Sequence, residues 1–233
     1  MAEPTRTQAR AAEIRLRWLM LAAFAAPLLV LVAVFGTRFG LWGAGFGLEV
    51  LTLKIGRILA FAGLAAALVA VLIAFKDLRR RGAYAAVSLV AAGAAVALFA
   101  VQGQRFAVPA ANDVTTDPAE APAFSRAVLA MRGGEGEGGA SVACPDLVSV
   151  PRQVAPETAA AALEAAGFTV RGAAPFRADG AREGFWFGLT YDAAIRIRPG
   201  RTDVRVAQRE GVKVGDEACR LARTVVEGLT PQA

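Results

Sequence analysis

The chain has no histidine among its 233 residues. That absence removes the commonest general base, the commonest metal ligand and the usual proximal ligand of haem together. Cysteine is nearly as scarce. Cys144 and Cys219 are the only two, too few for a four-ligand zinc site or an iron–sulfur cluster built from the usual ligands of one chain. No metal and no cofactor is expected. The polar half also lacks a charge bias: residues 102–233 hold 15 Lys and Arg against 16 Asp and Glu, whereas residues 1–101 hold 11 against 4. The formal net charge of +6 therefore belongs to the apolar half. A nucleic-acid module carries its basic charge on its polar surface, so nucleic acid is not expected as a partner.

What the chain does have is apolar length. At 55% hydrophobic residues it is too apolar for a purely soluble protein. Three runs account for this: Trp18 to Phe35, Ile58 to Phe75 and Ala83 to Val101, each 18 or 19 residues without a charge. At 1.5 Å per residue each reaches roughly 27 Å, enough for a thin bilayer core. Residues 1–101 thus read as three transmembrane helices (about 18–35, 58–75 and 83–101), with the lipid bilayer as partner. The first run is too long for a signal-peptide core and no small-x-small cleavage site follows it, so it is expected to be retained.

Flanking charges set the direction. Arg6, Arg10, Arg15 and Arg17 before the first span and Lys76, Arg79, Arg80 and Arg81 between the second and third make eight positive charges on one side. Arg38, Lys54, Arg57 and Arg105 make four on the other. The amino terminus is expected in the cytoplasm and everything after about residue 102 outside, in the periplasm of a bacterium whose inner (plasma) membrane holds the spans. With no Asp, Glu, Lys or Arg inside the spans, no ion pathway is expected from this chain alone. The pairs Gly63/Ala67 and Gly93/Ala97 permit close helix approach, within the bundle or in a homo-oligomer. The Gly-rich loop from Phe39 to Leu53, with Trp42, suits an interfacial segment.

An outward position makes a disulfide between Cys144 and Cys219 a candidate. It would close a loop worth about 4 kcal/mol by loop-closure entropy; the alternative is two buried thiols that never meet.

A linker at 102–111 leads to residues 112–233, enough for one core. Asp117-Pro118-Ala119-Glu120 has the form of a helix start, with the helix body at about Ala123 to Met131. GGEGEGG, from Gly133 to Gly139, predicts a mobile loop. Pro156 to Ala166 predicts a helix closed by Gly167. Strands are expected at Phe168–Arg171, Gly184–Thr190, Ala194–Arg198 and Asp203–Gln208, and a last helix from about Asp216 to Leu229. This order predicts an α+β domain, an antiparallel sheet with helices packed on one face.

Arginine recurs at every second position around Pro199-Gly200. A hairpin turning through PGRT pairs Arg198 with Asp203 and sets Arg196 opposite Arg205, while Ile195, Ile197, Val204 and Val206 point to the helices. Opposed arginines call for an anion between them, so Arg196, Arg198, Arg205 and Arg209 are candidate contacts for an anionic ligand or partner. The alternative is a solvated face on which Asp192, Glu183 and Asp203 neutralise them.

The segments NDVTTDPAEAPAF (Asn112 to Phe124) and FWFGLTYDAAIRIRPGRTDVRVAQREG (Phe185 to Gly211) resemble the bacterial and plastid family called domain of unknown function 1499 (DUF1499). Its members show an H-D-[IV]-[ST]-T-D segment followed by prolines and a Phe. An aromatic-Gly-Phe strand, a D-D-x-x-x-R-[IV]-R-P strand and an R-S-x-S-R-x-G strand come later. Asp113, Thr115, Thr116, Asp117, Arg196, Arg198, Arg205, Arg209 and Gly211 match this pattern. Asn112 stands where the family often has His, and Gln208 where it usually has Ser. The resemblance implies no reaction.

Three functions are compatible with these features. One is a membrane-anchored periplasmic binding or interaction module, an accessory subunit or envelope-maintenance factor with a membrane-protein partner. Another is a carboxylate-dependent envelope hydrolase or lyase using Asp113 and Asp117. The third is a carrier of lipid or a small molecule between sheet and helices.

Overall fold

The computed structural model describes residues 6–75, 77–107, 112–133, 142–212 and 215–230. The chain forms two compact units, Met1–Gln104 and Arg105–Ala233.

The first unit is helical: α1 (Arg6–Arg38), a π-helix (Phe46–Gly56) running directly into α2 (Arg57–Ala74), and α3 (Leu78–Ala107). Its three apolar segments, Glu13–Arg38, Phe46–Ala74 and Arg81–Gly103, are each long enough to cross a membrane. Alanine lets the helices approach. Ala23, Ala67 and Ala92 form one buried layer, and Ala26, Ala60 and Ala95 a second, flanked by Leu59, Val96 and Phe99. Gly63 lies in the α1–α2 seam, where a Cβ would stand 3.1 Å from the Ala22 carbonyl. Gly93 has open space instead, and α3 packs through Ala92 and Ala95.

The loop expected at the interface is largely helical. From Phe46 it winds as a π-helix, whose i→i−5 spacing the Thr52 hydroxyl follows by donating to the Gly47 carbonyl at 2.9 Å. Trp42 wedges this segment onto α1: its indole N–H donates to the Thr37 hydroxyl and the Ala33 carbonyl. A Cβ at Gly36 would overlap the Trp42 ring, and one at Gly47 the Thr37 hydroxyl. The second apolar helix therefore begins a dozen residues earlier than the apolar run suggests, and it carries Glu49, Lys54 and Arg57 in its first turns.

The second unit is an α+β domain. Its five antiparallel strands are β1 (Asp113–Thr115), β2 (Thr169–Ala174), β3 (Arg177–Glu183), β4 (Thr190–Arg198) and β5 (Arg201–Gln208), in the order β1-β5-β4-β3-β2. Two helices, α5 (Pro156–Ala165) and α6 (Glu217–Leu229), pack against one face. Leu163, Ile195, Val204, Val206, Val225 and Leu229 fill the space between, all fully buried. Gly228 brings α6 against α5, since a Cβ there would lie 3.1 Å from that of Ala162. Cys144 and Cys219 are bonded, with Cα atoms 5.7 Å apart. This ties the N-terminal turn of α6 to the 142–150 segment, which itself bridges to β1 at Val142 and to β5 at Val150.

The opposite face is covered as well. Residues 116–125 cross it irregularly and end in a short helix, α4 (Arg126–Met131), capped by the Ser125 hydroxyl accepting from the Val128 N–H at 3.3 Å. Phe124 and Val128 pack there on Ala194 and Ala207. The helix start expected at Asp117 is absent, and Asp117 instead accepts from the Glu120 N–H within a local turn.

A second difference comes from burial that local pattern does not announce. The strand expected at Gly184–Thr190 is mostly a turn, and the strand lies just before it at RADGARE, a charged sequence whose Asp179 is buried by pairing with Arg177. β1, three residues long, lies within the segment expected to lead to the first helix. Helix α3 continues to Ala107, into the expected linker, and residues 134–139 of the glycine-rich loop lie outside the described residues.

Candidate functional site

The candidate residues lie on the face under residues 116–131. Strand alternation puts Asp192, Ala194, Arg196 and Arg198 of β4 there, with Arg201, Asp203, Arg205 and Ala207 of β5 beside them. Arg177 and Asp179 of β3 continue this row, as do Asp113 and Thr115 of β1.

The hairpin register corrects the expected pairing. Pro199 and Gly200 alone form the turn, with Gly200 at φ 72°, so Arg198 faces Arg201, Arg196 faces Asp203 and Arg205 faces Ala194. A shift of two residues leaves every side chain on its expected face and changes every partner. Arg196 and Arg205 are therefore not opposed.

Each arginine is held by carboxylates of the domain itself. Asp203, fully buried, accepts from Arg198 at 2.6 Å and Arg196 at 3.1 Å on one oxygen. Its other oxygen accepts from Arg201 at 2.7 Å and from the Ser149 hydroxyl at 2.6 Å. Asp117 binds the same three guanidinium groups, each at 3.1 Å. Glu120 closes the cluster from the rim, 2.9 Å from Arg198 and 3.2 Å from Arg196. Three cations and three anions balance. Burial pushes the Asp203 carboxyl up, but hydrogen bonds from Ser149, Arg196, Arg201 and Arg198 outweigh it and hold the group below its ordinary value.

Two further arginine–carboxylate groups flank Phe124. Arg205 grips Asp113 bidentately at 2.9 and 2.5 Å and donates to the Pro122 carbonyl at 3.2 Å. Asp192, also fully buried, takes Arg209 bidentately at 2.8 and 2.6 Å and Arg132 at 2.8 Å. Arg132 and Arg205 both lie over the Phe124 ring, 5.0 and 4.6 Å from its centroid. Phe124 therefore holds two ion-paired arginines against the sheet.

These contacts decide what the face can do chemically. Asp113 and Asp117, the candidate acids, stand apart in separate clusters, and each has an arginine donor already on its oxygens. Arg196, Arg198, Arg205 and Arg209 face internal carboxylates. Asp203 neutralises Arg196 and Arg198, and Asp192 neutralises Arg209, on a covered rather than a solvated face, while Arg205 is taken by Asp113. Sequence reasoning missed Glu120, Ser149, Arg132, Arg177, Asp179 and Arg201 as members. Three of these were signalled by opposite charges two apart on one strand, Arg177 with Asp179 and Arg201 with Asp203. Arg132, Glu120 and Ser149 arrive from distant segments and carry no such signal.

The helix-covered face ends in a polar row. Tyr191 pairs with Gln208, whose N–H donates to the Asn112 carbonyl at 2.7 Å. Gln208 is buried, and neither of its side-chain amide atoms, nor the Asn112 side-chain oxygen, has a hydrogen-bond partner among the described residues. Burial, then the charges of Glu217 and Glu210, push the Tyr191 hydroxyl upward. Among the described residues no cluster of acids and cysteines is arranged to hold a metal ion.

No family model, no curated protein and no solved structure matches this chain.

Proposed function

We propose that the protein is a membrane-anchored binding or interaction module. In this reading the α+β domain stands on the periplasmic side of a bacterial inner membrane, as an accessory subunit or envelope-maintenance factor. The observation that carries it is the internal pairing of the polar face. The arginines and the candidate acids Asp113 and Asp117 are committed to one another, which stiffens a surface and leaves those acids occupied. The eight-to-four distribution of positive charge supports the orientation, and the disulfide suits an oxidising compartment. The resemblance to DUF1499 belongs to the same proposal.

Neither alternative draws equal support. A carboxylate enzyme needs an acid able to take up and release a proton at a substrate, and both candidates have guanidinium donors in place. A carrier needs room between sheet and helices, where Leu163, Ile195, Val204 and Leu229 are close-packed.

The test is mass spectrometry of the full-length protein purified in mild detergent from its own membranes. A stoichiometric protein companion is expected. A chain that emerges alone, or with a retained apolar molecule, overturns the reading. A periplasm-dependent reporter fused after Ala233 is expected to be active, and silence would reverse the orientation.

A further inference from the structure

The loop from Gly184 to Leu189, GFWFGL, joins β3 to β4 without a charge. It is closed at its base by the Gly184 N–H donating to the Leu189 carbonyl at 2.8 Å. Its two leading side chains turn outward: Phe185 is 81% exposed and Trp186 61%, with their rings edge to face at 5.3 Å. Each ring carries roughly 150–250 Å² of largely apolar surface, a costly display in water. The domain has no need of these rings for its core.

The sheet places this tip at one particular end. Glu183 pairs with Thr190 at the base of the loop, Tyr191 with Gln208, and Ala207 with Asp113, the first residue of β1. The loop therefore projects from the same end of the sheet at which the chain arrives from α3. β1 lies three places from β3 in the sheet, so the tip is about 12 Å sideways of that arrival. Only residues 108–111 separate the last residue of α3, Ala107, from Asn112. Five residue steps, fully extended, reach at most about 18 Å. The tip end of the domain is thus the end at which the chain joins a helix long and apolar enough to cross a membrane. Exposed Met131 lies at this end too, its carbonyl accepting from Arg209 just beyond β5.

We propose that the Phe185–Trp186 tip is a membrane-docking element that seats in the interfacial zone of the bilayer holding the three apolar helices. Trp and Phe on an uncharged loop are suited to that zone, where an amphipathic ring finds both headgroups and acyl chains. Docking gives the domain a second attachment beside its tether and fixes which face it offers to other molecules. The inference is independent of the side of the membrane on which the domain stands.

Phe176 supplies the internal comparison. It is equally exposed at 63%, yet it lies at the opposite end of the sheet, where its carbonyl accepts from the Ile197 N–H beside the Pro199-Gly200 turn. The test uses the full-length protein in nanodiscs of phosphatidylethanolamine and phosphatidylglycerol, with and without bromine on the acyl chains. Subtracting the emission of Trp186→Phe from that of the wild type isolates Trp186 and cancels Trp18 and Trp42. Adding Phe176→Trp to the Trp186→Phe chain reports the far end in the same way. The expected result is strong quenching of Trp186 by brominated lipid with little quenching by aqueous acrylamide, and the reverse at position 176. Quenching of Trp186 by acrylamide alone overturns the proposal, because the tip then stands in water. Protection of Trp186 from both quenchers also overturns it, because a protein surface or a second copy, not lipid, then covers the tip.

Discussion

Replacing Asp203 by Asn keeps the shape of the side chain and removes its charge, and the structure sets the size of the effect. The carboxylate accepts four hydrogen bonds of 2.6 to 3.1 Å, three from arginines, and is wholly buried. Removing one member of a buried ionic group costs about 3–5 kcal/mol. Here the lower end applies, because Asp117 shares all three guanidinium groups and these remain partly exposed. About 3 kcal/mol corresponds to a roughly 100-fold change in an equilibrium constant. The assay is hydrogen exchange by mass spectrometry on the full-length protein in mild detergent, read on the β5 amides that exchange through opening of the whole domain. In Asp203→Asn, exchange is expected to be about 100-fold faster. Three arginines then face two carboxylates, so added phosphate is expected to slow exchange more in the variant than in the wild type. A change of less than about threefold, with no differential phosphate effect, would falsify the argument that this carboxylate holds the arginine cluster.

Acid provides a second check. Because the folded state holds the Asp203 carboxyl below its ordinary value, its stabilisation is fully present above the unfolded carboxylate pKa of about 4 and is lost as pH falls through the lower folded value. Wild-type stability is expected to fall in that window more steeply than that of Asp203→Asn, and parallel profiles would count against the assignment. Replacing both Cys144 and Cys219 by Ser removes a 75-residue closure worth at most about 4 kcal/mol. Exchange is expected to accelerate first in α6 and residues 142–150, and unaltered exchange there would show that the bridge constrains nothing. Gln208→Met removes a buried amide without partners among the described residues and keeps the volume, so the melting temperature should rise by the equivalent of roughly 1–2 kcal/mol. A loss of stability would mean that the amide is satisfied by a group bound there.

The apolar helices and the α+β order were legible because they rest on local signals. Long uncharged runs specify spans, and Pro156 with Gly167 brackets α5. The π-helix escaped because Gly-rich sequence has weak helical preference of its own, and Trp42 packed between Gly36 and Gly47 supplies what propensity does not. β3 escaped because RADGARE reads as a solvated loop until Asp179 is seen paired with Arg177 and with the Ser125 N–H.

The candidate site divides the same way. Period-two alternation is a property of any strand, so the sequence by itself determined that Arg196, Arg198, Arg205 and Asp203 share a face opposite Ile195, Ile197 and Val204. Which charges meet depended on a turn of two residues rather than four, and on Asp117, Glu120, Phe124 and Arg132 folding back from some 60 to 90 positions away. A carboxylate's partner is set by distances of about 3 Å across the fold, and only the tertiary structure decides those. It turned an arginine stripe that could have awaited an anion into a face that neutralises itself.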